Sequence, residues 1–251
     1  MDPAIVVAVI ALVGAILSAG ISVYAQASSA ERAARRDAEA VLAKYREPLV
    51  LAAYDLQSRL FNILSQNFLG KYYVPDDCGT RDYARDHTLY LIGQYFAWTE
   101  IMRREIQFLR FEEVANTREV ARVQHRIRDA FASDRDDLGR PLMIWRGEQS
   151  AIGERMTTVE DGQWLCMGYA SFVERKVAPE FWRWFERLAH DIDRIAAGPN
   201  PRLRELQHRL VDLIELLDPD RIRFQESIDK AESREGPRRD STTPGGERGG
   251  L

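Results

Sequence analysis

Apolar residues follow three patterns along this chain. The first is a block: AIVVAVIALVGAILSAGISVYA, from Ala4 to Ala25, contains no charged residue. A helix needs about 20 apolar residues to cross a hydrocarbon core about 30 Å thick. The block meets that length and lacks the polar face that a surface helix of a soluble domain would show. Its strongest polar groups, Ser18 and Ser22, can bond to the carbonyls of their own helix. A cleaved signal peptide is the competing reading, because Ala25 and Ala27 form an A-x-A pattern. Against it, the MDP start has no Lys or Arg, and the block outruns the usual ~7–15 apolar residues of a signal. A retained transmembrane anchor is therefore expected over residues 1–25. Arg32, Arg35, Arg36, Lys44 and Arg46 follow the block, and only Asp2 precedes it. Basic residues near a span stay cytoplasmic, so the expected topology is single-pass in the cell membrane, N-terminus out, with the C-terminal domain in the cytoplasm. Inside the block small residues recur four apart, as Ala11, Ala15 and Ala19 on one row and Gly14, Ser18 and Ser22 on the next. Such rows let helices approach closely in lipid and mark a candidate packing face for self-association.

The second pattern is helical periodicity. Residues 26–47 are rich in Ala, Glu and Arg, which favour helix, so the anchor should run on as a juxtamembrane helix. Pro48 is expected to end or kink it. In the next segment Leu49, Ala53, Leu56, Leu60 and Ile63 share a face, with Gly70 as the expected C-terminal cap. Asp55, Arg59, Asn62 and Gln66 form a polar stripe on that helix. It reads as a solvated face with an Asp55–Arg59 pair. After a loop around Pro75 to Gly79, a long helix from Tyr83 to Phe111 is apolar all round between Leu89 and Trp98, which predicts a central, fully packed helix. Val120, Val123, Ile127 and Phe131 share a face of the following helix, with Arg118, Arg122 and Arg126 on its wet side. Near the C-terminus Phe181, Phe185, Leu188, Ile192 and Ile195 make one stripe, closed by Gly198. Leu203, Leu206, Leu210, Leu213 and Leu217 make another. The short GPNP link between them predicts an antiparallel helix pair.

The third pattern is brief. Asp161-Gly162 separates two β-compatible runs, which allows a small β-hairpin near 156–167. The expected fold class is all-α: a transmembrane helix continuous with a juxtamembrane helix, then a helical-bundle-like cytoplasmic domain over 48–230. A polar tail over 231–251 should be disordered.

Composition narrows function more than it defines it. A net charge of −4 argues against a nucleic-acid partner, whose binding surface is basic. Arg outnumbers Lys heavily, with only four Lys among 35 basic residues. The bases are interleaved with acids, so no positive field builds up. Cys78 and Cys166 are isolated and should be free thiols. The chain has no G-x-S-x-G elbow, no Gly-rich phosphate loop and no H-E-x-x-H, so no catalytic residue, metal or cofactor is assigned. Glu186, His190 and Asp193 align at i, i+4 and i+7, a spacing metal ligands can use. That face lies opposite the apolar stripe and should be wet. The densest polar group beside apolar neighbours is WRGEQSAIGE, where Arg146, Glu148, Gln149 and Glu154 are either partner or ligand contacts or an internal set of ion pairs. Its glycines, Gly147 and Gly153, each weaken a helix by about 1 kcal/mol relative to Ala and imply close packing or a site.

KYREPLVLAAYDLQSRLFNIL, IWRGEQSAIGE and LQHRLVDLIELLDPDRIRF together resemble a widespread bacterial group of single-span membrane proteins with a helical cytoplasmic domain. No activity attaches to that group, so the resemblance implies architecture and transfers no site residue. The leading expectation is a membrane-tethered, non-catalytic interaction or scaffold protein, held in the bilayer through residues 4–25, with itself or another protein as partner. A ligand sensor or enzyme built around Arg146, Glu148 and Gln149 is the alternative, followed by a stress or defence effector acting on the membrane.

Overall fold

The computed structural model describes residues 3–73, 78–106, 115–195, 200–224 and 228–232. Within these, the side chains of 3–13, 15, 16, 30, 31, 34, 35, 37, 38, 41, 42, 78, 106 and 115–117 are outside the description. The fold is all-α with one two-stranded hairpin. Its elements are α1 (Pro3–Ser65), α2 (Phe68–Tyr72), α3 (Cys78–Ile106), α4 (Ala115–Ala132), α5 (Arg146–Met156), β1 (Thr157–Glu160), β2 (Gln163–Cys166), α6 (Tyr169–Arg175), α7 (Pro179–Trp182), α8 (Glu186–Ile195) and α9 (Pro201–Leu217). Among the described residues no helix is long and apolar enough to cross a membrane. Most side chains of the Ala4–Ala25 block lie outside them.

Helix α1 passes through Pro48 without ending there, so of the two expected outcomes, an end or a kink, the end is excluded. Proline deletes the hydrogen bond to the carbonyl four residues back. That carbonyl belongs to Lys44, which is exposed, so water can take the place of the missing donor. Tyr45, Leu49 and Val50 are buried on either side of Pro48. Packing thus overrides the local preference. The helix stops instead at Asn67, whose backbone is left-handed (φ 56°), a conformation Asn tolerates. Gly70, expected as the cap, lies inside α2.

Helix α3 is central, packing against α1, α5, β2, α6 and α8, as its all-round apolar stretch predicts. Gly153 sets how closely α5 approaches it: a Cβ there would sit 2.5 Å from the Phe96 carbonyl oxygen and 2.9 Å from the Glu100 Cβ. Nothing in the structure explains Gly147. The hairpin forms in the register Thr157 to Cys166, turned by Asp161 (φ 48°) and Gly162 (φ 75°). Two positive φ values in succession define the type I′ turn that Asp-Gly favours.

The expected antiparallel pair near the C-terminus is not formed. Helix α9 lies along α1 and α4, while α8 packs on α3. The Leu203–Leu217 seam is buried, and its partner is the apolar stripe of α1. The stripe of Phe181 to Ile195 is buried too, but it is divided between α7 and α8 by a turn; Gly198 lies outside the described residues. Beyond α9 the chain turns back. Asp218 accepts the N–H groups of Ile222 (3.0 Å), Arg223 (3.0 Å) and Phe224 (3.3 Å). Phe224 stacks on Tyr54, with ring centres 3.9 Å apart. Ala231 is buried and donates to Gln207 Oε1 at 3.0 Å. The fold therefore includes the start of the expected tail, and residues 233–251 lie outside the description.

One charged group sits deepest. Arg202, with no exposed surface, donates from Nη1 to the carbonyls of Ala130 (2.6 Å) and Phe131 (3.1 Å). Its Nη2 donates to those of Ser133 and Gly139, both at 2.7 Å. Without Arg202 the carbonyls it serves lose a donor, and leaving buried acceptors unsatisfied would cost about 3 kcal/mol or more in total. Arg202→Met should therefore destabilise the domain by about that much in urea denaturation. It should match or exceed the seam variant Leu210→Ala, for which a cavity predicts about 2–5 kcal/mol. A loss for Arg202→Met of under about 1 kcal/mol, the net worth of an ordinary hydrogen bond, would show that the clamp adds little.

Candidate functional site

The structure separates the residues singled out around Arg146. Arg146 pairs with Asp129 of α4. Glu148 accepts from Arg187 of α8 at 2.8 Å and from the N–H of Trp145 at 2.8 Å, closing the first turn of α5. Glu154 is exposed, 3.9 Å from Arg104. Gln149 is buried, and its Nε2 donates to the carbonyls of Arg128 (2.9 Å) and Ile144 (2.8 Å). Internal pairing, rather than a shared site, accounts for this group. Gln149 also lines a space of about 270 Å³ between α3, α4 and α5, and its Oε1 is buried without a partner among the described residues.

The other expected faces behave simply. Glu186, His190 and Asp193 are exposed, and Asp193 accepts from the Tyr73 hydroxyl. Among the described residues no group of three His, Cys, Asp or Glu side chains is placed to hold a metal ion. Gly14, Ser18, Ala19 and Ser22 of the candidate packing face are exposed; the side chains of Ala11 and Ala15 lie outside the described residues. Cys166 is a free thiol whose pKa burial pushes up to about 12, which leaves it unreactive at neutral pH.

The more informative site is the polar stripe of α1, read from sequence as solvated. Asp55 and Gln66 are exposed as expected, but Arg59 is buried, and Asp55, Arg59 and Asn62 border a space against α3. Asp55, Arg59 and Asn62 stand at i, i+4 and i+7 on one helix, and His87, Leu91 and Gln94 stand at the same spacing on the other. Together they line a cavity of about 280 Å³. Arg59 is only 8% exposed. Its Nη2 lies 2.7 Å from Nδ1 of His87, and its guanidinium carbon lies 4.1 Å from the centre of the Phe68 ring. The expected Asp55–Arg59 pair is not among the described ion pairs. Tyr83 stacks on His87 at 5.1 Å, and Tyr169 meets it edge-on at 5.2 Å.

Charge states follow from these contacts. Arginine can only donate, so His87 Nδ1 accepts and the imidazole is neutral. Burial first, and the Arg59 charge second, pull the His87 pKa down to about 4. Burial also lowers the Arg59 pKa and raises that of Asp55. Two residues of this lining carry a buried atom without a hydrogen-bond partner among the described residues: Arg59 at Nη1, a donor, and Gln94 at Oε1, an acceptor. A general base works best with a pKa near the working pH, and His87 lies well below it. The arrangement suits binding better than proton transfer.

No family model matches the chain, and no curated protein or solved structure matches it.

The depressed pKa of His87 has a consequence for stability. An unfolded His titrates near 6.5. Between about pH 6.5 and about 4 the unfolded chain takes up a proton that the folded chain refuses. Stability should therefore fall as pH drops through that window and stop falling, for this group, below it. His87→Gln should remove the contribution, so the urea midpoint of the parent should drop relative to the variant as pH is lowered across the window. Parallel curves would mean that His87 protonates as freely in the fold as outside it.

Proposed function

We infer that this chain is a membrane-tethered, non-catalytic interaction protein. In this reading Ala4–Ala25 spans the bilayer, and the helical domain lies on the cytoplasmic side. The observation that carries it is the single helix α1. It begins at Pro3 and ends inside the domain core, and its N-terminal part leaves large apolar side chains bare. Leu17 is 61% exposed, Ile21 69% and Tyr24 77%. Contiguous apolar surface of this kind marks an interaction or membrane site, and lipid removes the penalty of leaving it in water. The basic residues from Arg32 to Arg46 and the resemblance to single-span bacterial proteins support the same topology. Between Gln26 and Lys44 the described side chains are exposed apart from a half-buried Ser28. At 1.5 Å per residue this stretch is a stalk of roughly 28 Å that would hold the domain clear of headgroups and offer a helical surface to a partner. Internal pairing of Arg146, Glu148 and Arg187 favours interaction over an enzyme site there.

A reporter fused after Asp220 should be active in the cytoplasm, and the full chain should stay in the membrane pellet after carbonate washing. A stoichiometric partner, or a second copy, should co-purify from those membranes. Recovery of a mature chain beginning near Ser28 in a soluble extracytoplasmic fraction would sink the tethered reading.

Self-association can be examined separately. If the small-residue rows form the contact, Gly14→Ile should lower the signal in a membrane dimerisation assay and Val9→Ile should not, since a bulky side chain blocks close approach only on the packing face. Equal signals from both variants and the parent would assign any second copy to the cytoplasmic domain.

A further inference from the structure

The α1–α3 cavity is built around two unmet polar needs of opposite kind. At one end Arg59, more than nine-tenths buried, lines the space and has an unpartnered Nη1 donor. Its neighbour His87 is neutral and already accepts from Nη2, so it cannot supply the missing acceptor. At the other end Gln94 presents an unpartnered buried Oε1, and Asp55 adds a carboxyl at the rim. Asp55 and Arg59 are one helical turn apart, about 6 Å along the axis. Buried polar groups are nearly always satisfied in native proteins, and each exception calls for a water, an ion or a ligand.

The charges decide which ligand fits. Arg59 and Asp55 cancel, so the lining has no net charge to attract a bare ion. An anion on Arg59 would be repelled by Asp55, and a cation on Asp55 by Arg59. A molecule with an acceptor end and a donor end meets both. The volume, about 280 Å³, lies just under the ~300–1,000 Å³ typical of ligand pockets, so the molecule must be small. Tyr90 and Leu91 give one apolar wall, which suits a short side chain.

We propose that the cavity between α1 and α3 binds a small zwitterion of the amino-acid class, its carboxylate on Arg59 and its ammonium on Asp55 and Gln94. The site joins the membrane-proximal helix to the central helix, so an occupant would tie α1 to α3. The proposal does not depend on the membrane reading, because every group it uses lies within the folded domain.

The test uses the full chain in detergent micelles and the twenty common L-amino acids as probes, screened by saturation-transfer NMR and then titrated calorimetrically. At least one should bind. Its deaminated acid and its decarboxylated amine should each bind at least tenfold more weakly, since each lacks one of the two ends. Asp55→Asn, a change at the rim that should leave the fold and its melting curve intact, should weaken the zwitterion at least tenfold and bind the deaminated acid at least as tightly as the parent does, because the repelling carboxylate is gone. Arg59→Lys, which keeps the charge but loses the fork, should weaken both. Overturning results are that no amino acid binds at millimolar concentration, that the deaminated acid binds as well as its parent, or that Asp55→Asn changes nothing. The second would make the cavity a simple anion site, and the first a water-filled one.

Discussion

The geometry of the domain rests on one buried cation. An α-helix ends with four carbonyls that have no partner inside the helix, and the dipole makes that end negative. At the end of α4 two of these carbonyls, with two more from the following loop, converge on the guanidinium of Arg202 from α9. Taking the charge out of water lowers its pKa, and the carbonyl set offsets that desolvation. A lysine could not reproduce the arrangement, because a point ammonium lacks the planar fork that reaches both pairs. The clamp fixes α9 against α4 and holds the start of the loop that leads to α5. The far end of the same loop is held from α8, where Asp191 accepts from the N–H of Leu142 at 3.0 Å and Arg187 donates to the Met143 carbonyl at 2.8 Å. Leu142 has a φ of 54°, which an L-residue adopts at a cost of about 1–2 kcal/mol. The Asp191 bond helps to offset that cost.

This dependence explains why Arg146, Glu148 and Gln149 find partners on different elements. Helix α5 starts where the clamped loop delivers it, between α4 and α8. Its polar first turn then meets Asp129, Arg187 and the carbonyls of Arg128 and Ile144. Most of the polarity of that segment is met inside the domain; the exception is the buried Oε1 of Gln149.

How far the sequence could be read follows from what periodicity measures. Spacing reports which residues share a face, so the buried stripes of α4, α8 and α9 and the all-apolar α3 were legible, as was the Asp-Gly hairpin. It does not report what a face looks toward. The stripe of Asp55, Arg59 and Asn62 has the composition of a wet surface, and only the matching spacing of His87, Leu91 and Gln94 on α3 hinted that two polar stripes could face each other. Arg202 gave no signal, being one arginine among many near a helix start. Pro48 does not end α1, because a rule for isolated helices ignores the core on both sides of it. The α8–α9 pair failed for a related reason: a short link makes neighbours in sequence, but α9 buries more of its seam against α1.

The two unusual arginines show how the same residue can be structural in one place and functional in another. Arg202 places both terminal nitrogens on backbone carbonyls, two bonds each, and only its Nε is without a partner among the described residues. Arg59 is almost as buried, yet the domain gives it one neutral imidazole, one aromatic face and the nearby Tyr83 side chain, and leaves Nη1 without a partner among the described residues. A fold that needed Arg59 only for packing could place an apolar side chain there, since replacing buried ionic groups by apolar ones of similar volume is often neutral or stabilising. Retaining a cation with an open donor, beside a histidine kept neutral, preserves electrostatic attraction without a competing base. That combination is of little use for acid–base chemistry at neutral pH. It is well suited to holding a carboxylate whose other end must also be recognised, and its placement on α1 puts that recognition on the same helix as the apolar N-terminal block.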